Sequence, residues 1–238
     1  MIKSEMLTVA GHQMEVQVGI PDGKGPFPVM LLMYHRGGFD EFTRNRLEQL
    51  TADGFLTVTP DIFFPAPLDA PDRKTFLKDS LAVAAIKAAN AYAETHPLAA
   101  KGKIGIIGHC MGGRLTLQGA AVLPNLKVAA AFYGGGVFVS WGNEGTPPSD
   151  FLGNIRCPVI GFFGDLDTNP SPEQVDKIDE ILTKHGVSHV FHRYSDVGHG
   201  FQQAALGRRG PAELKASEDA WAKMRSFVAD KMGLAPVS

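Results

Sequence analysis

One of the chain's two cysteines lies in "GHCMGG", residues 108–113. The apolar run "KIGIIG" precedes Cys110, and "MGGRLTLQGAAV", which has a helical pattern, follows it. The spacing Gly108-x-Cys110-x-Gly112 suits a nucleophile held on a tight strand-to-helix turn. A side chain at either glycine would collide with the neighbouring strand or helix, so both positions call for hydrogen. The start of a helix offers free N–H groups and a dipole that favour a thiolate over a thiol. The N–H of Met111 points where the oxyanion of an acyl transfer would form. A free cysteine is most often a small buried hydrophobe, but placement between a strand and a helix favours the nucleophile.

A nucleophilic thiol needs a base, and the base needs an orienting group. After the apolar run "CPVIGFFG" comes "DLDTNP", with Asp165 and Asp167. After "SHVFHRY" comes "SDVGHGF", with His199 between two glycines. Asp167 is the better acid, because it lies further beyond the strand and can reach an imidazole. Asp165 is better placed to hold the loop by capping backbone N–H groups. His109 lies in the elbow itself and reads as structural. His189 and His192, three apart on one strand, face opposite sides, and no histidine has metal-ligand spacing. His35 ends the strand "PVMLLMY" and opens "HRGG". That loop is where a second oxyanion donor arises in such folds, which makes the N–H of Arg36 the candidate. His35 itself reads two ways, as a structural hydrogen-bonding group or as a group that activates the thiol.

The elements around these residues alternate between strand and helix. "HQMEVQVGIP" reads as a half-exposed edge strand and "PVMLLMY" as a buried central one. "FLTVTPDIF", "KIGIIG", "KVAAAFYG", "CPVIGFFG" and "SHVFHRY" are further strands. Helical patterns run through Phe42, Leu47 and Leu50, from about Lys74 to Ala93, after Cys110, from Pro172, and from about Pro211 to Met232. Ser171, Pro172 and Gln174 form a capping box with proline at the first helical position, and Gly186 ends that helix. Crossover helices imply a mostly parallel sheet of about eight strands with helices on both faces, an α/β fold in one domain over 1–238. Chemistry in such sheets gathers at the carboxyl ends of the strands, where Cys110, Asp167 and His199 all fall. Residues 134–153 form a long irregular loop of the kind that is often functional.

The whole-chain totals exclude several classes. Lys and Arg number 23 against 25 Asp and Glu, a net charge of −2, so no polyanion-binding surface is expected and no nucleic acid. No run of about 18 apolar residues is present, so no membrane span is expected. Two cysteines, Cys110 and Cys157, are too few for a disulfide framework, and with no apolar leader they fit a reducing cytoplasm. No cofactor is implied, and the glycines of "GKIGIIGHCMGG" do not space as a dinucleotide fingerprint. A monomer or small homo-oligomer is expected.

Taken together, "LTADGFLTVTPDIF", "IGIIGHCMGGR", "CPVIGFFGDLDTNPSP" and "YSDVGHGF" make the chain resemble the dienelactone hydrolases (carboxymethylenebutenolidases) of the α/β-hydrolase fold. The order Cys, Asp, His is the α/β-hydrolase order of nucleophile, acid and histidine. The resemblance implies a triad of Cys110, Asp167 and His199, with oxyanion donors at the N–H groups of Met111 and Arg36. Two positions depart from the family pattern. His35 stands where the best-known members carry a thiol-activating glutamate, and Gln203 stands near where they carry a substrate-binding arginine. Arg36, Arg73, Arg208 and Arg209 are the candidate replacements. The activity implied is hydrolysis of a small-molecule lactone or activated ester through a thioester. Phe39, Phe63, Phe64, Phe138 and Trp141 are candidate pocket walls. The alternatives are a general carboxylesterase of the same fold and a redox-sensing thiol protein without turnover.

Overall fold

The computed structural model describes residues 1–67, 69–143 and 145–235. Among these residues eight strands form one sheet: β1 (Ile2–Val9), β2 (His12–Gly19), β3 (Phe27–Met33), β4 (Leu56–Pro60), β5 (Ala99–His109), β6 (Val128–Phe132), β7 (Val159–Gly164) and β8 (His189–Tyr194). Their spatial order is β1-β2-β4-β3-β5-β6-β7-β8. The pairs β1/β2 and β2/β4 are antiparallel, and every other neighbouring pair is parallel. β4, β6 and β7 are buried along their whole length. That explains the unbroken apolar runs of β6 and β7, since both faces of these strands are covered, while β4 buries Thr57 and Thr59 between its apolar residues.

Among the described residues, five α-helices cover the sheet: α1 (Glu41–Ala52), α2 (Asp79–Thr95), α3 (Met111–Val122), α4 (Pro172–Lys184) and α5 (Pro211–Met232). On one face α2, α3 and α4 contribute Ile86, Leu115, Leu117, Ile178 and Leu182 to a continuous core. On the other, α1 and α5 contribute Leu47, Leu50, Met224 and Val228. The capping box of α4 is formed: Ser171 Oγ accepts from the Gln174 N–H, and Gln174 Oε1 accepts from the Ser171 N–H.

Two expectations are corrected. β2 is not the edge strand, because β1 lies outside it. Along β1 the apolar Ile2 and Met6 are exposed while Lys3 and Glu5 are half buried, so polarity does not track burial. The Ala-rich helix begins at Asp79 rather than near Lys74. Asp72 instead caps a short 3-10 turn at Arg73–Phe76, and Leu77 and Lys78 are extended.

Candidate active site

The turn between β5 and α3 is as tight as the glycine spacing requires. Cys110 adopts φ +57° and ψ −119°, a conformation that costs an L residue energy unless its surroundings enforce it. Its N–H donates to Phe132 O at the end of β6, 3.0 Å away. A Cβ at Gly108 would stand 2.2 Å from Gly112 O, and one at Gly112 would stand 2.0 Å from Met33 O at the end of β3. The elbow is therefore clamped between two strand ends.

His199 follows β8, and its Nδ1 hydrogen-bonds Asp167 Oδ2 at 2.7 Å. Asp167 is 4% exposed, and its Oδ1 accepts the Asn169 N–H at 2.8 Å. Asp165 points elsewhere, where its Oδ1 accepts from Arg193 Nε at 2.7 Å. It thus holds its loop through a side chain on β8 rather than through backbone N–H groups. With Nδ1 committed to Asp167, the other ring nitrogen of His199 is left for the Cys110 thiol, with which the ring hydrogen-bonds.

Burial alone would push the Cys110 thiol up. The hydrogen bond and charge of His199, together with the N–H groups of Met111 and Arg36, outweigh it and hold the thiol below its usual range. Burial likewise works against a charged His199, but Asp167 and Cys110 push the imidazole up to about 10. Both shifts favour the charged forms, thiolate and imidazolium, over those of isolated groups, with Met111 and Arg36 donating to the sulfur.

His35 lies elsewhere in the network. Its Nε2 pairs with Asp40 Oδ2 at 2.8 Å, and Asp40 Oδ1 caps α1 by accepting from the Thr43 N–H. This contact fixes the loop that presents the Arg36 N–H. His109 is buried, stacked on Phe132 at 4.5 Å, and burial holds it well below the usual histidine range.

The site opens into a cleft of about 420 Å³, a usual size for a small-molecule pocket. Leu77, Met111, Trp141 and Thr168 line it beside Cys110 and His199, and Arg36 contributes to the wall. Of the five aromatic residues expected there, Trp141 alone lines the cleft. Phe63 and Phe64 are buried in the core, and Phe39 and Phe138 pack against it. Arg73 is spent on Asp61 at 2.8 Å, and Arg208 pairs with Glu41. Of the candidate cations, Arg36 lines the cleft and Arg209 reaches the turn at Gly200, beside His199.

Tyr133 was not singled out by the sequence. It has φ +38° at the end of β6, is 1% exposed, and presses its ring edge-on to His199 at 5.1 Å. Its only sequence signal is its place just beyond "VAAAF" at a strand's carboxyl end. Asn169, which braces Asp167, was also missed.

The dienelactone hydrolase family model matches residues 14–232. The chain belongs to the dienelactone hydrolase family. It is therefore a hydrolase of the α/β-hydrolase fold. A relative from Salmonella typhimurium, provisionally named a carboxymethylenebutenolidase, is 30% identical over 88% of this chain and 79% of its own length. One from Synechocystis, provisionally given the same name, is 29% identical over 95% of this chain and 96% of its own. Among solved structures, a protein from Klebsiella pneumoniae provisionally described as a dienelactone hydrolase superposes with TM-score 0.83 at 23% identity, covering 96% of this chain and 99% of its own. A dienelactone hydrolase-like promiscuous phosphotriesterase from metagenomic libraries superposes with TM-score 0.78 at 18% identity, covering 96% and 98%. These structures share the fold. Among the described residues, no helix of this family member is long and apolar enough to cross a membrane. No group of three or more His, Cys, Asp or Glu among them is arranged to hold a metal ion.

Proposed function

We propose that this family member hydrolyses a lactone or activated carboxylic ester, with Cys110 as nucleophile, His199 as proton carrier and Asp167 as its orienting acid. The observation that carries the reading is the surroundings of one atom. His199 and the N–H groups of Met111 and Arg36 all act on the Cys110 sulfur. A sulfur packed only as a small hydrophobe has no use for three polar partners.

In the acylation step the Cys110 thiolate attacks the carbonyl carbon and an S–C bond forms. The carbonyl oxygen becomes an oxyanion held by the Met111 and Arg36 N–H groups. The C–O bond to the leaving group breaks, and His199, already protonated, supplies the leaving oxygen with its proton. The thioester no longer carries the anion that raised His199, so the imidazole returns to a neutral base. It then takes a proton from water as the hydroxyl attacks the thioester. Collapse expels the thiolate and releases the acid, and the imidazolium is restored. Asp167 keeps Nδ1 protonated throughout and so fixes the tautomer. Enol-lactones and aryl esters suit this site, because a thiolate is expelled more readily than a plain alkoxide.

The test is turnover of dienelactone and of p-nitrophenyl acetate by the wild-type protein, Cys110→Ala and His199→Ala. Hydrolysis of at least one substrate that disappears in both variants supports the reading, and the ratio of the two rates ranks lactone against simple ester. No hydrolysis of either by the wild type overturns it.

A further inference from the structure

A second polar constellation lies one turn beyond the nucleophile. Arg114, on α3, is 0% exposed and uses its whole guanidinium. Nη1 and Nη2 donate to Asp79 Oδ1 and Oδ2 at 2.7 and 3.1 Å, across to the start of α2. Nη1 also reaches Gln118 Oε1 at 3.2 Å. Nε donates to Gly136 O at 2.9 Å, and Nη2 donates to Val139 O at 2.7 Å. Asp79 in turn accepts the Trp141 N–H at 2.7 Å. The guanidinium carbon lies 3.7 Å from the centre of the Trp141 ring. Beyond Gly136 the chain of contacts returns to the triad: the Gly136 N–H donates to Asn169 Oδ1 at 3.0 Å, and Asn169 braces Asp167.

Three backbone groups of the 136–141 segment are thus held by one ion pair instead of by a strand ladder. That segment carries Gly136 and Trp141, which line the cleft. A buried ion pair is weak evidence for stability, since apolar residues of similar volume often serve as well. Apolar residues would supply no donors for Gly136 O and Val139 O, nor an acceptor for the Trp141 N–H. The pair's distinctive effect is on the shape of the wall.

We infer that Arg114 and Asp79 are positioning residues that set the selectivity of the cleft, by holding the Trp141 ring at a fixed distance from Cys110. The guanidinium covers one face of the indole, and the half-buried ring offers the cleft a rigid planar surface. The groups this surface favours are flat and apolar, such as an aryl or conjugated chain beside the reacting carbon. The inference builds on the reading of Cys110 as the nucleophile, but its test does not need ester turnover.

The test compares two alkylating agents on Cys110, iodoacetamide and its N-phenyl derivative, by mass spectrometry of the Cys110 peptide. The variants are Arg114→Met, Asp79→Asn and Trp141→Leu, each checked for folding by near-ultraviolet circular dichroism. In each, the ratio of N-phenyl to parent alkylation is expected to fall about tenfold, the size of effect one well-placed apolar contact gives. The KM of an aryl-acyl ester is expected to rise relative to that of an acetyl ester, with a smaller change in kcat. If Arg114→Met does not fold, Trp141→Leu leaves the ion pair intact and carries the same expectation. An unchanged alkylation ratio in the folded variants overturns the inference and leaves Arg114 a structural brace. Absence of ester hydrolysis by the wild type would overturn the hydrolase reading instead, and the alkylation ratio would still decide this one.

Discussion

The molecule holds its two cysteines in opposite surroundings. Cys157 is 4% exposed just before β7, packed in the apolar core, and burial pushes its thiol up to about 12. Cys110 is also largely enclosed, yet its thiol is held below the usual range. Burial acts on both in the same direction, so the difference is made by directed polar groups. Cys110 has the His199 imidazole and the backbone N–H groups of Met111 and Arg36 acting on its sulfur. Those donors exist because the elbow puts the cysteine at a helix start and at a strand's carboxyl end. Reactivity here is a property of the backbone turn more than of the side chain.

The largest expected effect separates the cysteines outright. Cys110→Ala should lower kcat/KM for p-nitrophenyl acetate about 10⁴-fold or more, as loss of a nucleophile does in such triads. Cys157→Ala should leave kcat/KM within about twofold and cost about 1 kcal/mol in urea unfolding, since it empties a small packed volume. Comparable losses of activity in both would break the contrast.

Next come the groups that make Cys110 different. His199→Ala and Asp167→Asn should each reduce kcat/KM by about 10²-fold or more. His199→Ala should also raise the pH at which Cys110 becomes alkylated by iodoacetamide, because the main group lowering the thiol is gone. Asp165→Asn should change turnover less than about threefold, since Asp165 bonds Arg193 and not the imidazole. Equal effects from the two aspartates would contradict the geometry.

A pH series sharpens the comparison further. Wild-type Cys110 should alkylate at a lower pH than an ordinary thiol, whereas Cys157 should react only on unfolding. Turnover should fall as pH rises through about 10, where His199 loses the proton it gives the leaving group. Alkylation needs no such proton and should stay level there. Parallel decline of both rates would mean that His199 does not donate to the leaving group.

The smallest effect concerns the turn. Gly112→Ala places a Cβ 2.0 Å from Met33 O, a backbone atom that cannot swing away. It should destabilise the fold by about 1–3 kcal/mol, read as a lower urea midpoint.

Much of this was legible in the sequence. The elbow announces itself because a Cβ at Gly108 or Gly112 would stand 2.0–2.2 Å from a backbone oxygen, so chemistry and composition coincide at these two glycines. Asp167 could be preferred over Asp165 from its distance beyond the strand. β3, β6, β7 and the second half of β5 were readable because burial on both faces makes them almost uniformly apolar, whereas β8 is only half buried and was marked by its β-branched and aromatic residues. β1 was not readable, since it exposes Ile2 and Met6 while half burying Lys3 and Glu5. The wall of the cleft was not readable either. Its shape rests on Arg114 and Asp79, brought together from α3 and α2, and no local pattern marks such a pair. Tyr133 was missed for the same reason, since it acts on His199, distant in sequence, while Asn169 braces Asp167 through a backbone N–H that its residue type does not advertise. The thiol-activating reading of His35 rested on its position, while its ring turns to Asp40.

The central claim is that Cys110 carries the acyl group. Its most direct test is an acid quench of the protein during turnover of a p-nitrophenyl ester, followed by intact-mass and peptide mass spectrometry. The account predicts a single acyl adduct on the Cys110 peptide, labile to hydroxylamine and absent in Cys110→Ala. Steady turnover that persists in Cys110→Ala, or an adduct on a different residue, would contradict it.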